Sequence, residues 1–155
     1  MTQVPESVAD FLSQERIAVV GVSRHSMQAA NMIYRKLRST GYDVVAVNPN
    51  TDRVEGDVCY PSVAAIPKSV DAAVVVTASE VSDRVMRECA ACGIPRAWLH
   101  RSVGRGSMSE SAVEYGREQG MQVIAGGCPM MYCKPVDLGH TCVRWLLGAT
   151  GRLPS

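Results

Sequence analysis

The nine residues 16–24, Arg-Ile-Ala-Val-Val-Gly-Val-Ser-Arg, constrain the fold more than any other part of the chain. Ile17, Ala18, Val19 and Val20 form a short apolar run rich in β-branched residues that stops at Gly21. A run of this kind, closed by glycine, reads as a strand buried on both faces of a parallel sheet. Ala30, Ile33, Tyr34 and Leu37 then recur at helical spacing, and Gly41 ends the repeat. Strand, glycine turn and helix make the first half of a βαβ unit. The turn, Gly21-Val22-Ser23-Arg24-His25-Ser26, falls in the register of the dinucleotide fingerprint G-x-G-x-x-G, with serine at the second and third glycine positions.

Those serines alter what the turn can hold. The second glycine lets backbone touch a pyrophosphate, and Ser23 puts a side chain there, so the phosphate must shift and can gain a hydroxyl hydrogen bond. Ser26 is expected to cap the helix, whose N-terminus favours an anion, with Arg24 and His25 beside it. Arg24 is the residue expected to bring charge to the phosphates, through a planar fork that meets an oxyanion with two donors.

The same alternation of short apolar runs and helical periods continues to the end. Helices are expected over 7–14, after Ser79, after Ser109 and from Asp137 to Gly148; strands are expected over 43–47, 58–60, 70–77, 97–100 and 121–125. Residues 62–67 read as a brief connector. The pattern predicts an α/β fold: a doubly wound, mostly parallel sheet with helices on both faces. With 155 residues the chain reads as a single domain, residues 1–15 forming an N-terminal helical extension and 149–155 a loose tail. The strand at 70–77 opens the second half of the sheet, so its end at Thr77 and that of the first strand should flank the topological switch point.

The second strand ends in Val47-Asn48-Pro49-Asn50. An NAD-preferring site usually carries a carboxylate there for the ribose hydroxyls. Asn48 and Pro49 offer no charge, so a ribose phosphate is tolerated; as turn residues they are equally well explained. A formal net charge of +1 and an aromatic content of 5% argue against a nucleic-acid surface. No apolar run reaches membrane-spanning length, and the N-terminus lacks a signal-peptide pattern. The six cysteines are therefore expected as reduced thiols in a cytoplasm.

Cys128, Cys133, His140 and Cys142 have the spacing C-x4-C-x6-H-x-C, which lacks the C-x2-C knuckle of structural zinc sites, so no metal is expected. Cys89 and Cys92 fall at a helix C-terminus, the wrong end for a reactive thiol, and read as core. Cys128 follows Gly126-Gly127 at a strand end, where it is either a small buried hydrophobe or a thiol facing the crevice.

In combination the motifs resemble a known family. Gly21-x-Ser23, Asn31-x-Ile33-x-Arg35-x-Leu37, Gly41-Tyr42 and Val47-Asn48-Pro49 are similar to the small single-domain CoA-binding proteins. So are Gly56, Tyr60-Pro61-Ser62, Ile66-Pro67, Val70-Asp71, Trp98 and Gly126-Gly127-Cys128-Pro129, and, for one branch, Pro135-Val-Asp-x-Gly-His140 with Arg144-Trp145. That family is similar in turn to the CoA-binding domain of the succinyl-CoA ligase α subunit. The resemblance implies a Rossmann-like domain with CoA or acyl-CoA across the carboxyl ends of its strands. The site it implies comprises Gly21, Val22, Ser23, Arg24, Ser26, Asn31, Asn48, Pro49, Thr77, His100, Cys128 and Pro129. Asn48-Pro49 would lie near the adenosine. The phosphohistidine domain of the ligase has no counterpart in this chain, so ligase activity is not implied.

The expected role is a non-catalytic carrier, sensor or partner module. A competing reading is an NAD(P)- or CoA-dependent enzyme, an oxidoreductase or acyl transferase working through Cys128 and His100; a third is a structural subunit without ligand. Expected partners are the small-molecule CoA ligand and a partner enzyme or a second copy of the chain, with neither nucleic acid nor membrane.

Overall fold

The computed structural model describes residues 3–101, 106–134 and 138–151. Its order is α1 (Glu6–Leu12), β1 (Arg16–Val20), α2 (Ala29–Ser39), β2 (Asp43–Val47), β3 (Arg53–Val54), β4 (Asp57–Tyr60), β5 (Ala72–Val75), α3 (Ser79–Ala91), β6 (Arg96–Leu99), α4 (Glu110–Glu118), β7 (Gln122–Ala125) and α5 (Leu138–Ala149). Short 3-10 turns occupy Val63–Ala65 and Pro129–Met131. The expected start of the last helix at Asp137 and most of the tail lie outside the described residues, as does much of the 101–107 loop.

The strands form one seven-stranded sheet in the order β3-β4-β2-β1-β5-β6-β7. All neighbours are parallel except β3 and β4, which form a hairpin. From β1 the chain winds outward to β2 and β4 on one side, then returns to β5 on the other and continues to β7. This is a doubly wound Rossmann-like α/β fold, and β1 and β5 flank the point where the winding reverses.

Strand alternation divides the core in two. Ile17, Val19, Ala46, Ala72, Val74, Trp98 and Ile124 point to one face, under α1, α2 and the 129–131 turn. Ala18, Val20, Val45, Ala73, Val75, Ala97 and Leu99 point to the other, under α3 and α4. Each fully buried Val, Ile or Leu contributes about 1.5–3 kcal/mol relative to an exposed one, so these strands need apolar residues at every position. Gly116 of α4 marks how closely that second layer packs: a Cβ there would lie 2.5 Å from Met86 Cε and 2.7 Å from Val123 Cγ2.

The leading helix spans Glu6–Leu12, a little earlier than the periodicity over 7–14 suggests. Phe11 meets the edge of Trp98 with ring centroids 5.4 Å apart, and Asp10 accepts from Arg96 Nε at 2.6 Å. The helix therefore lies on the sheet face over β6. The strand expected over 70–77 is regular only from Ala72 to Val75; at its start the Asp71 amide still donates to Arg16 O at 2.8 Å while its carboxylate accepts from the Arg16 amide at 3.0 Å.

Candidate functional site

The first turn is built mostly from backbone held by buried amides. Gly21 has φ +108°, and a Cβ there would lie 2.1 Å from the Val76 carbonyl oxygen. Only glycine lets the chain leave β1 this close to the end of β5. The Gly21 amide donates to Val47 O at 2.8 Å, and Val22 is fully buried. Asn48 Nδ2 donates to Val22 O at 2.9 Å, while its Oδ1 accepts from the Asn50 amide at 2.9 Å. Asn31, 1% exposed, holds the next residue: its Oδ1 accepts from the Ser23 amide at 2.9 Å and its Nδ2 donates to Ser23 O at 2.7 Å.

Ser26 is not the helix cap. Helix α2 starts at Ala29, with Gln28 at the N-cap and no side-chain cap bond. The reason is a further turn, closed by Gln28 N donating to His25 O at 3.1 Å, which delays the helix and leaves Ser26 exposed. The Ser26 carbonyl instead accepts from Arg35 at 2.8 Å. The Ser23 hydroxyl accepts from the His25 amide at 3.0 Å, and Arg24 lies exposed on the outer rim.

Behind the turn stands the β3–β4 hairpin, whose two loop residues, Glu55 and Gly56, both have positive φ, 51° and 83°. This is the geometry a two-residue hairpin loop needs to match strand twist. Asn31 Nδ2 and Arg35 both donate to Glu55 Oε1 at 2.8 Å. These donors, Asn31 foremost, hold the Glu55 carboxyl below its ordinary range. Tyr34 and Arg38 each donate to Asp57 Oδ2 at 2.7 Å and lower that carboxyl likewise. Turn, helix and hairpin thus share one polar network.

In front of the turn, at the carboxyl ends of β1, β2, β4 and β5, opens a cleft of about 560 Å³. Gly21, Asn48, Pro49 and Thr77 line it, together with Asn50, Ser62, Arg84 and Glu88. Its far wall is α3: Glu88 accepts from the Val63 amide at 2.9 Å, which fixes that helix against the β4 end. Thr77 is held by its amide donating to Ser107 Oγ at 2.8 Å. A larger groove of about 610 Å³, near Leu12, Tyr42 and Tyr132, lies at the opposite end of the sheet, away from the switch point. In open α/β sheets ligands enter at the carboxyl ends, so the smaller cleft is the candidate site.

The expected site residues therefore fall into three groups. Gly21, Asn48, Pro49 and Thr77 line the cleft; Val22, Ser23 and Asn31 shape the turn, and Arg24 and Ser26 face outward from it. His100, Cys128 and Pro129 are buried at the ends of β6 and β7 and are not among the lining residues. Burial, with His140 nearby, pulls the His100 imidazole down to about 4. Cys128 packs in the same core cluster as Trp98 and Met131. Cys89 is a core thiol that burial pushes up to about 12, whereas Cys92, expected in the core with it, is exposed at the end of α3. Among the described residues no three His, Cys, Asp or Glu side chains gather as metal ligands; the Cys142 side chain lies outside them. No helix among the described residues is long and apolar enough to cross a membrane.

Sequence reading missed Arg84, Ser62 and Asn50 as lining residues. The available signal was helical spacing: Val81, Arg84, Val85 and Glu88 share one face of the helix that leaves the switch-point strand. It also missed β3, since Glu55-Gly56 lacks the Asn-Gly or Asp-Gly signature of such loops.

A family model described as CoA binding domain matches residues 15–134. ADP-forming acetate–CoA ligase I of Archaeoglobus fulgidus is 28% identical over 134 residues, covering 83% of this chain and 20% of the ligase. The chain spans between 16% and 27% of the length of the ligases and ligase subunit it matches. Uncharacterized protein YneT of Bacillus subtilis is 29% identical over 114 residues, 74% of this chain and 82% of YneT. The solved structure of a hypothetical protein from Pyrococcus horikoshii superimposes with a TM-score of 0.75 at 25% identity, covering 84% of this chain and 94% of that one.

Proposed function

The chain belongs to the CoA-binding domain family, and from that premise we propose that it is a CoA or acyl-CoA binding module, acting as a carrier, sensor or partner of an enzyme. The cleft at the switch point carries the reading. Its volume suits a nucleotide-sized ligand, and its floor is a glycine turn whose backbone approaches closely. The pyrophosphate lies against the Gly21 end of the 21–26 turn, with Ser23 behind it and Arg24 and Ser26 outward on the rim. The adenosine lies toward Asn48-Pro49, where the absence of a carboxylate admits a phosphorylated ribose. The pantetheine arm leaves past Thr77.

An enzyme working through Cys128 and His100 needs both at the ligand, and neither lines the cleft. Thermal shift and calorimetry with CoA, acetyl-CoA, NAD and NADP test the proposal, because a ligand that binds the native state raises stability with its occupancy. CoA or acetyl-CoA should stabilise the protein, and NADP should do so weakly. Preferential stabilisation by NAD would overturn the reading. Turnover of an acyl-CoA that disappears in Cys128→Ala would replace it with the enzyme.

A further inference from the structure

We infer that Arg84 is the residue that recognises the ribose 3′-phosphate of CoA, with Asn50 and Ser62 as flanking donors, so that the cleft discriminates CoA from dephospho-CoA. This rests on the CoA reading above and assigns one subsite within it.

Among the described residues most arginines are occupied, Arg53 and Arg117 by backbone carbonyls. Arg16, Arg35, Arg38 and Arg96 form ion pairs with Asp43, Glu55, Asp57 and Asp10. Arg87 and Arg144 sit over tyrosine rings. Arg84 enters none of these pairs and lines the cleft. Its helical neighbour Glu88, one turn on, accepts from the Val63 amide through Oε2 and forms no ion pair with Arg84. That bond also fixes direction. It turns the face of α3 bearing Arg84 and Glu88 toward the β4 end and places Arg84 one turn nearer the mouth.

The opposing lip supplies neutral donors. Ser62 Oγ accepts from the Ala65 amide at 3.2 Å, which leaves its hydroxyl hydrogen available. Asn50 is exposed there; its backbone N–H donates to Asn48 Oδ1, which leaves its side-chain amide as the donor. Across this lip the lining presents a guanidinium, an amide and a hydroxyl. That set suits a phosphate monoester, and the one carboxylate in the lining, Glu88, accepts from the Val63 amide on the α3 side. In a doubly wound fold the ribose of an adenine nucleotide lies at the end of the second strand, which here is Asn48-Pro49-Asn50. Arg24, by contrast, lies on the rim of the turn and is not among the lining residues.

Calorimetric titration of wild type, Arg84→Ala and Arg84→Lys with CoA and dephospho-CoA tests the assignment. Arg84 is exposed, so the unliganded thermal midpoints should agree. Wild type should prefer CoA. Arg84→Ala should weaken CoA about tenfold or more, the scale of a hydrogen-bonded charge, and leave dephospho-CoA unchanged; lysine should recover part of the preference. Equal weakening of both ligands moves Arg84 to the pyrophosphate and overturns the assignment, as does a preserved preference in Arg84→Ala. Wild type that binds neither ligand overturns the CoA reading itself, and the assignment with it.

Discussion

Asn31→Ala should destabilise the protein more than any other polar substitution around the turn. The side chain is 1% exposed and makes three bonds, two to Ser23 backbone and one to Glu55. A neutral hydrogen bond contributes about 0.5–1.5 kcal/mol net and one to a charged group about 1.5–3. Ser23 is half-buried, so water reaches its freed groups and the low end applies to those two bonds. The sum is about 2–4 kcal/mol, which for a chain of this length lowers the melting temperature by about 5–15 °C. Urea unfolding followed by circular dichroism gives the value directly. Asn31→Asp sharpens the test. Its carboxylate can still accept from the Ser23 amide but would face Ser23 O and the Glu55 carboxylate. At pH 7 it should be at least as damaging as alanine, and it should regain stability as the pH falls toward 4 and one carboxyl takes up a proton. A loss below about 1 kcal/mol in both variants, within the range of an ordinary surface substitution, would refute the view that Asn31 organises the turn.

Gly21→Ala combines a disfavoured φ with a 2.1 Å approach to Val76 O; a loss of about 2–4 kcal/mol, read by the same melts, is expected, together with loss of CoA binding. His100, held near 4 by burial, is a depressed base: unfolding lets it take a proton near its ordinary value of about 6.5. Its contribution is complete above about pH 6.5 and is lost as the pH falls toward 4, amounting to roughly 3 kcal/mol. His100→Gln should therefore flatten the stability–pH curve between pH 6.5 and 4, and an unchanged slope would show the imidazole to be hydrated.

Apolar runs made most of the architecture legible. Ile17 to Val20 and Ala72 to Val75 are buried on both faces, and such strands leave an unbroken signature in sequence. Gly21 was legible because its constraint is local, a positive φ after a strand. Ser26 misled because an N-cap and a polar turn residue draw on the same side chains, and the extra turn closed by Gln28 is accompanied by an Arg35 bond to Ser26 O that only the folded helix brings near. Asn31 and Asn48 were picked out as ligand neighbours; their structural work, holding the Val22 and Ser23 backbone, depends on partners that only the fold brings near. Arg84 carries no local mark. It belongs to the cleft only because Glu88 docks α3 against the β4 end.

The hairpin behind the turn ties the lifetimes of two segments together. Glu55 accepts from the side chain that also holds the Ser23 amide, so that amide cannot reach solvent while Asn31 stays in place. Nor does Asn31 swing away freely while the hairpin is docked. Hydrogen exchange at Ser23 and across β3–β4 should therefore proceed through one shared opening, with a common free energy below that of β1 and β5. The edge of the sheet acts as the latch on the ligand cradle, and the residues that set how often the cradle opens are Glu55 and Arg35, both remote from the cleft lining.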